Sequence, residues 1–310
     1  MNRTAACALA LAMALPAARA AAFDPERVGF TAEYHGESSS YRVNAAFLMP
    51  GEKLELRVKG DTGAFTLVDP SRRALPAAAG RWNWPAPDSA GLYPLVVRQG
   101  SDSMLLNVFV MVPATAMRGE AIQGYRIGAY PKSRLRGLDF YAPPKGFIRL
   151  DSASAAARIS PHFRLGQFAC KQSSRLPAFL ALRERLILKL ELVLEKANEA
   201  GYACETFHIM SGYRTPFYNK LIGNVKQSAH QFGGAADIFI DNDPVDGEMD
   251  DLNRDGRSDG EDSELLFKLV DAMSLNEFYL PYLGGVGKYS KNESHGAFVH
   301  VDVRGFRAIW

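Results

Sequence analysis

A chain of 310 residues, 47% apolar and 23% charged, has the composition of a globular protein long enough for two domains, which excludes wholesale disorder. A net charge of +2 with no concentrated Lys/Arg stripe also lacks the electrostatic footprint of a nucleic-acid binder. Residues 1–20 then read as a secretory signal. Arg3 gives a positive start, Ala5 to Pro16 is an apolar run, and Ala18-Arg19-Ala20 puts small residues around a cleavage point. The expected location is the periplasm or cell envelope. That run is shorter than the ~20 residues of a spanning helix, and no later segment is long and apolar enough, so no membrane span is expected. Cys7 would leave with the signal. Cys170 and Cys204 remain, either bridged in an oxidising compartment or kept as two separate thiols.

Residues 23–112 read as a small all-β sandwich. Leu54, Leu56 and Val58 alternate with Glu55 and Arg57, and the apolar runs 64–68, 92–97 and 104–112 are separated by Gly, Pro, Asp and Ser turns. Trp82 and Trp84 belong either to its core or to a surface that stacks on a sugar. Residues 113–158, rich in Gly, Pro, Tyr and basic side chains, read as a connector. From 159 to 310 the pattern is α+β. Pro177 suits the first turn of a helix carrying Leu180, Ile187, Leu190 and Leu194 at helical spacing until Gly201 ends it. Strands are expected over 207–210, 235–240 and 298–303, and a helix over 263–273.

The chemistry concentrates in this second half. His230 and Asp237 stand seven residues apart with small residues between them at the start of a strand, so both can turn toward one point. A catalytic zinc site takes three ligands of the His/Asp/Glu type and leaves a fourth position open, and His300 is a candidate third. On a strand His300 and Asp302 share a face.

Four segments carry a family resemblance over roughly residues 160–310. Ser228-x-His230-x-x-Gly233-x-Ala235-x-Asp237 resembles the signature of the zinc D-alanyl-D-alanine carboxypeptidases and L-alanyl-D-glutamate endopeptidases, whose fold is hedgehog-like. Gly284-Gly285-Val286-Gly287 followed by Phe298-Val299-His300-Val301-Asp302 is similar to the close of the murein-peptidase branch. Ser211-Gly212-Tyr213-Arg214-Thr215 resembles the family's Arg-bearing turn, and Phe163 to Cys170 its opening helix. The resemblance implies zinc held by His230, Asp237 and His300, a zinc peptidase fold, and hydrolysis of peptidoglycan peptides by metal-activated water. Arg214 is then expected to clamp a peptide carboxylate or the oxyanion, and Ser228 to orient a ligand from behind.

The chain departs from the family at one place. Many carboxypeptidases carry Glu or Asp three residues before the last His ligand, where this chain has Ala297. His295 and Asp302 are the candidates for moving the proton, Asp302 alternatively orienting a ligand or the Arg214 side chain, with Glu293 behind them, and His208 reads as structural or as support behind a ligand. The departure also keeps open a metal-bearing but inactive peptidoglycan-binding module.

A second motif lies between the ligands. Asp251, Asn253, Asp255, Asp259 and Asp262 place oxygens at positions one, three, five, nine and twelve of a loop with Gly256 at six, which leaves the Arg257 carbonyl at seven. The pattern resembles a dockerin calcium loop more than a sensor EF-hand, so structural calcium is expected at 251–262.

Overall fold

Charged and apolar side chains that alternate along a strand can bury one face only, and the N-terminal third of the chain stacks two sheets on that rule. The computed structural model describes residues 23–59, 64–77 and 79–310; the expected signal, 1–20, lies outside the described residues. Nine strands come first: β1 (Arg27–Tyr34), β2 (Glu37–Tyr41), β3 (Val43–Leu48), β4 (Lys53–Lys59), β5 (Phe65–Val68), β6 (Ala74–Pro76), β7 (Arg81–Pro85), β8 (Gly91–Gln99) and β9 (Asp102–Val110). They form one sheet in the order β2-β1-β4-β7 and another in the order β3-β9-β8-β5-β6. Phe30, Leu54, Leu56, Leu67, Leu95 and Leu106 share a core between them. Trp82 and Trp84, each 7% exposed, fill that core, and Trp82 Nε1 donates to the Leu75 carbonyl at 3.0 Å. Neither ring is offered to a sugar.

β3 breaks the alternation because both of its faces are covered. It pairs in parallel with β9, and all six of its residues are buried. Ala46 and Leu48 join the sandwich core, whereas Ala45 and Phe47, with Phe109 of β9, join the core of the C-terminal unit. A strand covered on both sides reads as an apolar run. Arg27–Glu195 at 2.7 Å, Arg158–Glu26 at 2.7 Å and Arg185–Glu37 at 2.9 Å tie the two units at the rim.

The expected connector is built into the second unit. It carries β10 (Val112–Pro113), the hairpin of β11 (Ala121–Ile122) and β12 (Tyr125–Arg126), β13 (Gly146–Leu150) and α1 (Ser152–Ala156). Ile122, Ile127, Phe140, Tyr141 and Phe147 are buried in the large core. The helix expected from Pro177 starts later, because Ala178–Leu180 forms β14 and pairs with β13, Leu180 opposite Ile148. α2 (Glu184–Glu199) follows, with Leu186, Ile187, Leu190 and Leu194 buried. The expected opening helix at Phe163 is a single 3-10 turn, Leu165–Phe168, since Arg164 just before it bridges to Arg158. Cys170 and Cys204 are both free and buried.

The remaining elements are β15 (His208–Ser211), α3 (Pro216–Leu221), β16 (Ala235–Phe239), α4 (Gly260–Met273), β17 (Gly285–Tyr289), β18 (Phe298–Asp302) and β19 (Ala308–Ile309). One sheet runs β15-β16-β18-β17-β19, antiparallel except between β17 and β19. α4 packs on β17 and β18. The whole is mixed α+β, and no helix among the described residues is long and apolar enough to cross a membrane.

Candidate metal centre

Register brings two polar residues face to face in the middle of this sheet: Asp237 of β16 is the direct partner of His300 of β18. His230 arrives from the 3-10 turn Ala229–Phe232 that precedes β16. Gly233 ends that turn at φ 68°, and a Cβ there would lie 2.5 Å from the Ala181 carbonyl carbon, so the turn closes only on glycine. All three polar residues are buried.

Their donor atoms converge. His230 Nε2 lies 3.2 Å from Asp237 Oδ1 and 3.1 Å from His300 Nδ1, and the last two atoms are 2.9 Å apart. The opposite ring nitrogens are tied behind: His230 Nδ1 donates to the Gly212 carbonyl at 2.7 Å and His300 Nε2 to Asp302 Oδ2 at 3.1 Å. The nitrogens left facing inward, His230 Nε2 and His300 Nδ1, are therefore the ones that can offer a lone pair to a metal. Tetrahedral zinc with bonds of about 2.0–2.1 Å needs donors about 3.3 Å apart, so these residues fit the ion with small adjustments. Among the described residues this is the one group of three His, Cys, Asp or Glu side chains whose ligand atoms all lie within 4.8 Å of one another.

The electrostatics differ among the three: burial would lower the His300 pKa, but its hydrogen bonds to Asp237 and Asp302 raise it. Burial pushes the His230 pKa down, keeping the ring neutral. Burial would raise the Asp237 pKa, but His230 and His300 beside it hold it well below the usual carboxylate range.

Two charged partners brace the ligands. Arg214 binds Asp237 Oδ2 through Nη2 and donates from Nε to Ser211 Oγ at 2.8 Å. It also lines the cleft, so it holds a ligand and still reaches the space where a substrate would lie. Asp302 lies behind His300, where the ligand-orienting reading puts it. It is fully buried and does not line the cleft, because its carboxylate is closed off by His300 Nε2, by Arg304, and by the Gly285 N–H at 2.7 Å. Lys189 of α2, its pKa pushed down to about 8 by burial, donates to the Asp302 carbonyl at 2.7 Å. Asp302 is a brace for His300.

The triad forms part of the wall of a cleft of about 980 Å³. Arg214, Lys226 and Arg304 line it, and Asp237 is the one Asp or Glu among its lining residues. His295 lines it too, with Nδ1 donating to the Gly296 carbonyl at 2.8 Å and Nε2 accepting from Asn292 Nδ2 at 2.9 Å. Ser228 lines it without hydrogen-bonding any of the three ligands, and Glu293 does not reach it. Ala297 is buried. His208 stays outside, stacked on Phe239 at 4.4 Å. Arg304 and Trp310 were missed by pattern reading. The only sequence signal for Arg304 is its period-two spacing after Asp302; for Trp310 there is none.

In the acidic loop the side-chain oxygens accept from main-chain N–H groups. Asp262 is buried and turns its carboxylate onto three main-chain N–H groups, those of Leu252, Asn253 and Asp259. Asp251 accepts from Asp255 and Gly256, Asn253 from Asp255, Asp255 from Arg257, and Asp259 from Glu261. Asp262, the expected twelfth-position residue, forms a capping box with Asp259 at the start of α4.

No family model matches this chain, and no curated protein matches it.

Proposed function

We propose that the protein is a zinc-dependent peptidase that hydrolyses peptide bonds in peptidoglycan stem peptides or cross-links. The observation that carries the reading is the convergence of His230 Nε2, Asp237 Oδ1 and His300 Nδ1 at a cleft, each histidine held from behind through its other ring nitrogen. Zinc bound there supplies Lewis acidity, polarising the scissile carbonyl and acidifying water. The protein supplies the rest. Arg214 fixes Asp237 and offers a guanidinium to a substrate oxygen. The cations around the cleft favour an anionic ligand such as a peptide with free carboxylates. His295 is the group assigned to accept the proton and pass it to the leaving amine, once Asn292 releases its Nε2. The peptidoglycan substrate rests on the sequence resemblance and on the signal-like first residues.

The test is metal content together with product analysis. Purified protein should hold about one zinc per chain, and its chelation should stop the release of peptide fragments from defined muropeptides, followed by mass spectrometry. Intact muropeptides after incubation with the zinc-loaded protein would overturn the reading. The inactive binding module has its own support, the alanine at 297 and the lack of any Asp or Glu but Asp237 among the residues lining the cleft; it predicts muropeptide binding without turnover.

A further inference from the structure

β19 runs parallel to β17 and carries Trp310 to the cleft. The Trp310 N–H donates to the Val286 carbonyl at 3.3 Å, and its carbonyl accepts from Lys288 at 3.0 Å. The indole lies along β17. A Cβ at Gly287 would come 2.4 Å from Trp310 Nε1, and one at Gly285 2.8 Å from Cη2, so these two glycines form the seat of the ring. Nε1 donates to Tyr289 Oη at 2.7 Å. The ring centre is 5.2 Å from that of His300 and 5.2 Å from the Arg304 guanidinium carbon. Trp310 remains 47% exposed and lines the cleft. Tyr289 stacks on Phe298 at 4.5 Å, and His295 meets Phe298 edge-on at 4.9 Å, so an aromatic wall runs outward from His300.

Nε1 is engaged, part of the ring is seated on the glycines and Arg304 stands over it at 5.2 Å, so what the indole offers the cleft is the part of its apolar ring surface that remains exposed. Such a surface attracts cations or C–H groups. Arg304 already holds the cationic position, and with Arg214 and Lys226 nearby a further amine is repelled. An uncharged alkyl group is the remaining match. An extended peptide advances about 3.3–3.6 Å per residue, so a group resting this close to His300 belongs to a residue flanking the bond presented to the triad. Resting on the peptidase reading above, we propose that Trp310 is a specificity-determining residue whose exposed indole surface takes the alkyl side chain of a residue next to the scissile bond.

Burying one methyl group changes affinity by about fourfold, which sets the scale of the test. Synthetic stem-peptide analogues, with alanine exchanged for glycine one position at a time, are titrated into the zinc-loaded full chain by calorimetry. Wild type should favour alanine over glycine at one position by about fourfold. Trp310→Ala should bring that ratio to about one with zinc content unchanged, and Trp310→Phe should retain it. Should Trp310→Ala lose zinc, Trp310→Gln, which fills the seat with a polar group, takes its place with the same expectation. An unchanged ratio in the ringless variant, or no binding of either peptide to wild type, overturns the proposal. Absence of turnover in wild type strikes only the peptidase reading, since the affinity ratio still decides the role of Trp310.

Discussion

Arg214 grips one oxygen of Asp237, Oδ2, and leaves Oδ1 facing His230 at 3.2 Å and His300 at 2.9 Å. Groups that orient a metal ligand from behind are typically worth about 10–100-fold in metal affinity. Arg214→Ala should therefore weaken zinc binding by about that factor, read by competition with a chromogenic chelator. Unchanged affinity with lost turnover would restrict Arg214 to substrate contact.

His295 and Asp302 separate by the same pair of readouts. Asp302→Asn breaks the charged brace on His300, so zinc affinity should fall by about 10–100-fold. His295→Ala should keep its zinc and lose at least about a hundredfold in turnover, the lower end of what a proton-transfer group contributes. The reverse result, with zinc retained and turnover lost only in Asp302→Asn, would make Asp302 the group that moves the proton.

At Asp262 a buried carboxylate accepts three N–H groups from the acidic loop. Truncation leaves those donors without acceptors, so Asp262→Ala should cost about 3 kcal/mol, roughly 5 °C in melting temperature for a chain of this length. The loss should be equal in chelator and in excess calcium. A loss confined to the calcium sample would show that the carboxylate is a calcium ligand.

His35 joins the sandwich to the start of α2, with Nδ1 at 2.7 Å from Glu184 Oε1 and Nε2 at 3.7 Å from Glu52 Oε1. The hydrogen bond to Glu184 raises its pKa, with Glu52 and Glu37 adding to the effect. A pKa raised in the folded state stabilises fully below the unfolded value of ~6.5, and this stability is lost as pH rises through the folded value. His35→Asn, which tolerates the φ of 46° at this position, should lower the urea midpoint near pH 5.5 and approach wild type near pH 8.5. An equal deficit at both would remove the ionic contribution.

The legible parts are those where one local rule acts alone. The alternation at Leu54, Leu56 and Val58 matches β4, with one face buried and one wet. The seven-residue spacing of His230 and Asp237 needs only a short turn and the first residues of a strand to bring both to one point, and the β16–β18 register then supplies His300. Leu180 was misread because an apolar residue at helical spacing from Ile187 satisfies a buried strand equally well; pairing with Ile148 decides it. Asp302 carries the period-two signal of a cleft residue, yet Arg304, Gly285 and Lys189 enclose it through contacts that no spacing encodes. The acidic loop shows the same limit. Spacing reports which residues carry oxygens and is blind to whether Asp262 turns toward a cation or toward the amides of Leu252 and Asn253.

Phe47 and Phe109 belong to the sandwich by connectivity and to the C-terminal core by packing. A chain ending near residue 112 would turn both rings, with Ala45, into an exposed apolar face, the kind that recruits unwanted partners. The two units are therefore poorly suited to exchange as independent modules. Any rearrangement that placed this sandwich before a different C-terminal unit would have to provide a matching surface for β3, so the halves are expected to be inherited together and to tolerate substitutions at that seam only in compensating pairs.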